Sequence, residues 1–312
     1  MILVNWNTRE YLLRCLTSLL ESGERDSWEI LVIDNGSCDG SASEVKKSFR
    51  IIRVIENSEN LGFAKATNQG VKASSGRYQL LLNPDTLVKE GSIEVLFTFM
   101  DGHPEVGIAG AQLLDADGRK QNSIANFPTL ATELLNKSLL RWLFPERFPG
   151  KGRTYREPIE VDSVIGACMM VRREAIEEVG WLDEDYFLFL EETDWCYRMK
   201  EAGWKVYHVP RAEIYHFQGK SAEGRIEKAK IEYYRSRYRF FRKHRGPFRS
   251  ILLVIGLAVK LWFEFLLMLC GCMATLFMVK MWRRRFRICA TLVWWHVKLC
   301  PPEMGLRKGN KG

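Results

Sequence analysis

Short apolar runs alternate with amphipathic helical patterns over the first hundred residues. Four runs predict buried strands, at 2–6, 29–33, 51–55 and 78–82. Apolar positions three or four residues apart predict helices at 9–20, after the capping residue Thr8, and at 64–72. Strands joined by single helices favour right-handed crossovers and a mainly parallel sheet, so the predicted fold class is α/β. Ligands of such sheets bind at the carboxyl ends of the strands, where this chain has its polar turns.

The pattern weakens after residue 120. Residues 123–157 are rich in Phe, Pro and Arg and predict a long surface excursion. An apolar strand is predicted at 164–171, a helix begins at about Arg173, and an acidic segment follows at 183–194. We therefore expect a first domain at 1–222 and a second, helical region at 223–312.

The second region combines a basic helix, predicted at 222–245, with an apolar run at 251–279. The run has 29 residues, and its charged residues are Lys260 and Glu264, which can pair at i and i+4. About twenty apolar residues can span a bilayer, yet seven Lys or Arg at 235–249 and five at 280–287 flank the run on both sides. Basic flanks face the cytoplasm, so a re-entrant hairpin or an interfacial helix pair is favoured over one span. A buried helix of a soluble domain is the alternative.

Charge divides the chain in the same place. Residues 1–219 hold 25 Lys+Arg and 33 Asp+Glu, a balance of −8, whereas residues 220–312 hold 21 and 5, a balance of +16. A tail that is both basic and apolar favours an anionic membrane surface over nucleic acid. Met1 leads directly into a strand, without a secretory signal, so we expect the acidic body in the cytoplasm. The eight cysteines form no CxxC pair, which favours reduced thiols.

Several common catalytic motifs are missing from the sequence. It contains no GxxxxGK[ST], no GxGxxG after the first strand and no GxSxG. A P-loop, an ordinary dinucleotide site and a serine-hydrolase elbow are therefore all disfavoured. What remains is a set of carboxylates and aromatic residues at predicted strand ends.

Five segments, in order, resemble the family 2 glycosyltransferases of the GT-A fold, especially the subgroup with bacterial rhamnosyltransferases of cell-surface polysaccharide assembly. They cover roughly residues 1–222, and His216 follows the last of them. The segments are VNWN at 4–7, VIDNGSCDGS at 32–41, ENSENLGFAKATNQG at 56–70, LLNPDT at 81–86 and FLEETDWCYRMKEAGW at 189–204.

The resemblance implies a set of residues that bind a UDP- or dTDP-sugar donor. Trp6 can stack on the base, and Asp34 can accept the N3–H of uracil or thymine, which adenine lacks. A core position for Trp6 and a turn cap for Asp34 are the alternatives. A glycine before a helix permits close approach of a phosphate. The donor-binding residues implied are Asn5, Trp6, Asp34, Gly62, Phe63, Asn68 and Asn83, although Asn68 could equally make a local hydrogen bond.

The resemblance also implies a divalent cation, Mg²⁺ or Mn²⁺, that bridges the donor diphosphate. Asp85 matches the last acid of the family's D-x-D motif, and Asn83 stands where the first acid would be. One carboxylate can suffice, because these cations keep waters and substrate phosphates as ligands. His216 matches a further metal or phosphate ligand; a purely structural histidine is the alternative.

The acidic segment resembles the family's ED motif, whose second acid is the catalytic base, and position gives Glu192 that role. Inversion at the anomeric carbon needs one base on the acceptor side of the sugar. Glu191 and Asp194 complete the predicted catalytic group, and Asp194 could instead cap the helix or orient a partner. The alternative for all three acids is that they complement the helix dipole.

The sequence thus predicts an inverting, metal-dependent glycosyltransferase that acts on a lipid-linked glycan at the cytoplasmic face of a bacterial inner membrane. Its expected partners are the nucleotide sugar, the acceptor lipid and the membrane surface, with no nucleic acid. Two rivals remain. A nucleotidyltransferase of related fold would be expected to have a basic, Gly-rich loop near the N-terminus, which residues 5–12 do not form. A catalytically inactive membrane scaffold is the other.

Overall fold

The computed structural model describes residues 1–22, 28–144, 155–218 and 225–306 of the 312-residue chain. The chain divides into two compact units. Unit 1 contains the described residues up to Phe127, together with 155–187 and 191–218. Unit 2 contains 128–144, Leu188–Leu190 and 225–306. The predicted boundary at residue 222 lies outside the described residues.

Unit 1 is built on a mixed sheet whose strands, as far as the chain is described, number nine. The strand bounds are β1 Ile2–Asn5, β2 Leu31–Asp34, β3 Arg53–Glu56, β4 Tyr78–Leu82, β5 Thr86–Val88, β6 Val106–Leu114, β7 Ile124–Ala125, β8 Ile159–Glu160, β9 Ser163–Val164, β10 Cys168–Arg172 and β11 Lys205–His216. The order in the main sheet is β3-β2-β1-β4-β10-β6-β11-β5, with β8 on β11, while β7 and β9 pair separately.

The predicted parallel arrangement is confirmed for the first four strands. β1 lies parallel to both β2 and β4, and β2 lies parallel to β3. Beyond them the sheet is mixed, because β10 runs antiparallel to β4 and β6 and β5 runs antiparallel to β11. Asn5 and Asp34 are direct neighbours at the carboxyl ends of β1 and β2. Polar side chains at this edge can therefore form one site.

Helices flank the sheet of unit 1 and bury its apolar faces. Their bounds are α1 Arg9–Glu21, α2 Ser41–Ser48, α3 Phe63–Ala73, α4 Ser92–Gly102, α7 Arg173–Val179 and α8 Glu191–Glu201. α1 buries Leu12, Leu16 and Leu19 on one face, at the three- and four-residue spacing that predicted it. The predicted cap residue is confirmed, since Thr8 is the N-cap of α1, although its side chain makes no capping hydrogen bond. Its hydroxyl donates to the Asn5 side chain instead.

The single strand predicted at 164–171 was also wrong. The segment is broken into β9 and β10, with Ile165, Gly166 and Ala167 between them. Two of these residues form hydrogen bonds outside β9 and β10. The Ile165 N–H donates to the Ser123 carbonyl, and the Ala167 carbonyl accepts from the Asn83 N–H. The break thus replaces sheet pairing with contacts at the edge where the predicted site lies.

Unit 2 is helical, with α5 at Leu130–Leu134, α6 at Lys137–Leu143, α9 at Ile226–His244, α10 at Gly246–Ala274 and α11 at Lys280–Val297. The prediction of a surface excursion at 123–157 was therefore wrong for Leu130–Leu134, because this segment forms α5 and packs within unit 2. Its Leu134 lies against Gly256 of α10, and its Glu133 pairs with Arg237 of α9. Residues 145–154 of the same prediction lie outside the described residues.

The apolar run at 251–279 ends in a chain reversal. α10 ends at Ala274, Leu276 and Phe277 adopt positive φ, and α11 begins at Lys280. Phe265 stacks on Phe286, with ring centroids 5.4 Å apart, so α11 returns antiparallel along α10. Within the described chain, α10 is the helix long and apolar enough to cross a membrane.

Candidate active site

Asp34, at the end of β2, is held by two groups from the β1 and β2 ends. The Asn5 amide donates to its Oδ1 at 3.0 Å, and the Ser37 N–H donates to its Oδ2 at 3.0 Å. Asn5 is itself fixed, because it also donates to the Ser37 hydroxyl and accepts from Thr8. Asn5 therefore positions Asp34 rather than presenting its own amide to a ligand. Each Asp34 oxygen keeps a second lone pair for a donor.

Trp6 follows Asn5 directly and is half-buried at the same strand end. The chain then turns through Asn7, whose φ of 52° lies in the left-handed region. The Asn7 side chain accepts the Cys38 N–H at 2.8 Å, which ties the loop after β1 to the loop after β2. Trp6 and Asp34 thus lie at the ends of two neighbouring strands.

Gly62 immediately precedes α3 and packs against the backbone of Phe187. Its φ is +89°, and a Cβ there would lie 2.8 Å from the Phe187 ring, so a larger residue would be strained. The Phe63 N–H donates to the Phe187 carbonyl at 2.8 Å. The first turn of α3 is thereby tied to the acidic segment, and the Phe63 N–H is already used within the protein.

Asn68, one turn into α3, is buried and fully engaged by the same acidic segment. Its amide donates to the Leu182 carbonyl at 2.9 Å and to Glu184 at 3.1 Å, and its oxygen accepts the Leu182 N–H. The alternative role given for Asn68 was a local hydrogen bond, and in the structure its side chain bonds instead to residues that are distant in the sequence. Asn68 anchors the acidic segment on α3.

Asn83 and Asp85 occupy the turn between β4 and β5. The Asn83 N–H donates to the Ala167 carbonyl at 2.9 Å. Asp85 is buried, and its Oδ1 lies 3.5 Å from Nε2 of His216, the last residue of β11. Nδ1 of His216 is buried and has no hydrogen-bond partner among the described residues. The strand pairing of β5 with β11 is what brings this histidine to the turn.

The Asp85 and His216 pair fits a divalent cation only as a partial set of ligands. Within the described chain, no group of three or more His, Cys, Asp or Glu side chains is arranged to hold a metal. A hard cation that keeps waters and phosphate oxygens can nevertheless be held by one carboxylate and one imidazole. Asn83 removes the negative charge that a second acid would have supplied. The pair is therefore suited to a cation that arrives with an anionic ligand.

Glu192 lies in the first turn of α8, beside Gly166. A Cβ built at Gly166 would lie 3.5 Å from that of Glu192, an ordinary van der Waals distance, so the two residues are direct neighbours. Burial raises the pKa of Glu192 to about 7, although its own backbone N–H and that of Thr193 oppose the shift. A carboxylate with this pKa can both take and hold a proton near neutral pH.

Glu191 is more deeply buried than its neighbour. Burial, and secondly the charge of Glu192, raises the pKa of Glu191 well above its ordinary value. Its Oε2 is buried without a hydrogen-bond partner in the described part of the chain. A negative charge on one of these two adjacent buried carboxylates therefore opposes ionisation of the other.

Asp194, two residues on, is held in an ion pair. Its Oδ2 accepts from Arg198 Nε at 2.9 Å, and its Oδ1 accepts from the Tyr186 hydroxyl at 3.4 Å. Arg198 also donates to the carbonyls of Val179 and Trp181. Asp194 therefore orients a partner, the second of the two possibilities in the sequence, and ties α8 to the end of α7.

The backbone before α8 is unusual. Phe189 and Leu190 have φ values of 72° and 64°, in the left-handed region that non-glycine residues seldom adopt. Two such residues cost on the order of 1–3 kcal/mol each. They turn the chain so that α8 begins with Glu191 and Glu192, and strain of this kind often accompanies a functional site.

The family model for glycosyl transferase family 2 matches residues 1–180, more than half of the chain. The chain belongs to glycosyltransferase family 2. The resemblance read from the five segments is therefore confirmed, and this glycosyltransferase has the GT-A fold.

Named relatives of this glycosyltransferase include rhamnosyltransferases. One is the N-acetylglucosaminyl-diphospho-decaprenol L-rhamnosyltransferase of Mycobacterium tuberculosis, 28% identical over 268 residues, which are 80% of this chain and 86% of that protein. Another is the dTDP-rhamnosyl transferase RfbF of Shigella flexneri, 25% identical over 70% of this chain and 68% of that one. This chain is thus similar to rhamnosyltransferases over most of its length.

A solved structure shares the fold. The mannosyltransferase PcManGT of Pyrobaculum calidifontis, in complex with GDP-Man and Mn²⁺, matches 95% of this chain and 85% of its own, with a TM-score of 0.56 and 16% identity. At that identity the likeness concerns the fold alone.

The sequence did not identify several residues that support the site of this glycosyltransferase. Asn35 joins Asn57, Asn60 and Gly62 through its side chain. Gly166 and Arg198 support the two acids of α8. The signal for Asn35 was its position in VIDNGSCDGS, and the signal for Arg198 was its place four residues after Asp194 in the last segment. Gly166 lay in no pattern that implied its partner.

Proposed function

We propose that the protein is an inverting glycosyltransferase that moves a sugar, rhamnose being favoured, from a dTDP- or UDP-sugar to a lipid-linked glycan. The product would enter a bacterial cell-surface polysaccharide. The observation that carries the proposal is Glu192: a carboxylate with a pKa of about 7 at the start of α8. It is linked through Gly166 and Ala167 to the turn that holds Asn83 and Asp85.

In this mechanism Glu192 accepts the proton of the attacking acceptor hydroxyl. The new bond forms between the acceptor oxygen and the anomeric carbon, while the bond from that carbon to the diphosphate oxygen breaks. The nucleoside diphosphate leaves with the bonding electron pair. A single displacement from the opposite face inverts the anomeric configuration, and one positioned base is sufficient for it.

Asp85 and His216 would hold a divalent cation, Mg²⁺ or Mn²⁺. When bound, the cation neutralises charge on the leaving diphosphate. The support for this role is the chemistry of the pair, a buried carboxylate facing an imidazole at 3.5 Å. Because the site lacks a second acid, we expect cation binding to be weak in the free protein and strengthened by the donor.

Base recognition is assigned to Trp6 and Asp34. An Asp34 held by Asn5 and Ser37 has lone pairs left for an imino N–H, and the half-buried Trp6 follows Asn5 at the end of the neighbouring strand. The dTDP donor named for a relative agrees with a pyrimidine here. The acidic body would work at the cytoplasmic face of the membrane, where lipid-linked acceptors with a diphosphate headgroup are accessible.

The test is a donor screen with the intact protein, first by thermal shift and then by turnover. UDP or dTDP, with Mg²⁺ or Mn²⁺, should stabilise the protein by about 2.7 kcal/mol at a hundredfold excess over Kd, and ADP should not. Equal stabilisation by ADP, or tighter binding of GDP, would contradict the base assignment. Donor hydrolysis or transfer that releases a nucleoside diphosphate separates the enzyme from an inactive scaffold, and pyrophosphate release from a triphosphate would favour a nucleotidyltransferase.

A further inference from the structure

One face of α10 exposes large apolar side chains from Phe248 to Phe263. They recur at three- or four-residue spacing and include an exposed tryptophan near the middle. The members are Phe248 (71% exposed), Ile251 (58%), Ile255 (56%), Val259 (51%), Trp262 (52%) and Phe263 (67%). The opposite face buries Leu253, Leu257 and Leu261. Helices on the surface of a soluble protein put polar residues outward, so this outward face requires a non-aqueous partner.

The other sides of α10 are occupied by charged helices of the same unit. α11 runs antiparallel along it, since Gly271 contacts Trp282 and Phe265 stacks on Phe286. α9 lies beside α11 in the same direction. Arg287 of α11 pairs with Glu227 near the start of α9 at 2.6 Å, and the Tyr238 hydroxyl donates to His296 Nε2 at 2.7 Å.

This packing argues against a transmembrane helix. About twenty residues of α10 would have to sit in hydrocarbon for it to span. The exposed arginines at 283–285 of α11 would then lie beside its distal half, at membrane depth, and so would the start of α9. Placing these charges in hydrocarbon is costly. A helix that lies in the plane of the interface keeps its apolar face in lipid and its charged neighbours in the headgroup region.

The charges near this face select an anionic surface. Lys280, Arg283, Arg284 and Arg287 share one side of α11 by their i, i+3, i+4 and i+7 spacing, and all are exposed. No acidic residue occurs between Glu264 and Glu303, a stretch that contains all of α11. Near the end of α11, Lys298 lies over the exposed ring of Trp294, 4.9 Å from the centroid. A basic and aromatic margin around an apolar strip fits acyl chains below anionic headgroups.

We propose that α10 and α11 form a monotopic anchor that lies in one leaflet of an anionic bilayer and does not cross it. This deepens the membrane location given under the proposed function. It is tested by binding to vesicles without donor or acceptor, so that failure of the anchor and failure of the transferase activity are separately observed.

The first experiment measures co-sedimentation of the full-length protein with vesicles of phosphatidylglycerol and phosphatidylcholine. Ile255→Asp combined with Phe263→Asp should reduce partitioning at least tenfold, because two exposed apolar side chains leave the acyl region. Ile51→Asp is the matched control, since Ile51 is 69% exposed but lies in unit 1. An equal loss from Ile51→Asp, or no loss from the double variant, would overturn the proposal. Vesicle-independent dimerisation with no sedimentation would assign the face to a second copy instead.

A second experiment tests the contribution of the basic residues of α11 to vesicle binding. Arg283→Gln with Arg284→Gln should weaken binding to anionic vesicles about 25-fold and leave binding to pure phosphatidylcholine unchanged. Lys47→Gln with Arg50→Gln, two exposed basic residues of unit 1, should change neither. Equal loss in both lipid mixtures would remove the electrostatic part of the proposal.

Topology is tested with an impermeant maleimide on spheroplasts. Met278, at the reversal between α10 and α11, is 80% exposed, and Met278→Cys would be placed in a Cys38→Ser, Cys270→Ser background. If the anchor lies in the plane of the inner leaflet, the introduced cysteine at 278 is labelled only after the cells are lysed or treated with detergent. Lys47→Cys, at an exposed position of unit 1, is the cytoplasmic control and should behave in the same way. Labelling of Met278→Cys in intact spheroplasts, with Lys47→Cys unlabelled, would establish a span and overturn the inference.

Discussion

The two units of this glycosyltransferase depart from ordinary burial in opposite directions. Unit 1 buries ionisable groups, with Asp34, Asp85, Glu191 and Asp194 all at least nine-tenths buried. Unit 2 instead exposes apolar groups along α10. Burying a charge costs free energy unless it is paired, and exposing apolar surface to water costs free energy as well. Both departures therefore mark places where a ligand or a surface is expected to complete the protein.

The comparison is sharpened within unit 1, because its buried acids are not equivalent. Asp34 and Asp194 are satisfied by partners in the protein, whereas Glu191 is not, and Glu192 titrates near neutrality. An acid in an ion pair, such as Asp194, holds the structure, and an acid with a raised pKa is available for proton transfer. Substitution of each kind of acid should therefore have a different effect, on turnover for a proton-transfer acid and on stability for a structural one.

The largest effect is expected for Glu192→Gln. The amide keeps the shape of the side chain but cannot accept the acceptor's proton, so turnover should fall by about 10²- to 10⁴-fold with donor binding nearly unchanged. Steady-state kinetics together with donor titration measure both quantities. Glu201→Gln, the same change at an exposed position on the same helix, should leave kcat within about twofold. Near wild-type turnover in Glu192→Gln would move the base to another residue.

Asp194→Asn should act on stability instead. Removing the charge leaves the half-buried Arg198 against two carbonyls without its carboxylate, and because only Asp194 is fully buried the loss should be about 3 kcal/mol, the lower end for a buried ion pair. Chemical denaturation measures the loss, and Asp185→Asn, at an exposed acid of the same segment, should cost under about 0.5 kcal/mol. If Asp194→Asn kept full stability and lost turnover as Glu192→Gln should, the two acids would have to exchange roles.

The positions of these acids were predictable from the sequence, but their partners were not. Asp34, Asp85 and Glu192 stand at the ends of strands or the start of a helix, where the local pattern identifies them. Asn68 bonds to Leu182, 114 residues away, and no local pattern specifies such a contact. The first four strands were predicted for the same reason of local pattern, since each is an apolar run between turns.

The sequence pattern did not predict β6, because several of its residues are small and have low strand propensity. Gly107 and Gly110 weaken the strand signal in the segment VGIAGAQLL. A Cβ at Gly110 would lie 2.5 Å from the Val164 side chain, so the glycine permits β6 to pass under β9. In unit 2, composition alone does not show whether the apolar run at 251–279 continues as one helix or turns back. The reversal at 275–279, seen in the structure, is what makes α10 and α11 a helical hairpin.

A third prediction compares the two faces of α10. Leu257→Ala should destabilise the protein by about 2–3 kcal/mol, because Leu257 is buried within unit 2 and its truncation leaves a cavity. Ile255→Ala, two residues away on the exposed face, should cost under about 0.5 kcal/mol in solution. Thermal or denaturant unfolding in the absence of lipid measures both. A large loss from Ile255→Ala would mean that the outward face is packed in the free protein.

The smallest effect concerns the pH dependence of stability at Glu192. Its pKa is raised from 4.5 to about 7 on folding, so between those values the folded state binds more protons than the unfolded state. The free energy of unfolding contributed by this group is therefore fully present below pH 4.5 and is lost as the pH rises to 7. Glu192→Gln cannot ionise. It should match the wild type at pH 4.5 and be more stable at pH 8. The shift corresponds to about 3 kcal/mol in a fully buried group, and because Glu192 is only half-buried we expect on the order of 1–2 kcal/mol.

Denaturant unfolding of both proteins across pH 4.5–8 tests this directly, with Asp117→Asn as a control at an exposed carboxylate whose ion pair with Arg119 is solvated. A difference between Glu192→Gln and the wild type that was constant with pH would mean that the amide altered packing rather than ionisation. A Glu192→Gln protein less stable than the wild type at pH 8 would mean that the ionised carboxylate is favoured by its surroundings. The same raised pKa predicts that wild-type turnover increases with pH through about 7, because the base works only when deprotonated. Lost turnover together with gained stability at pH 8 would thus identify Glu192 as a group held in unit 1 for catalysis at the expense of the fold.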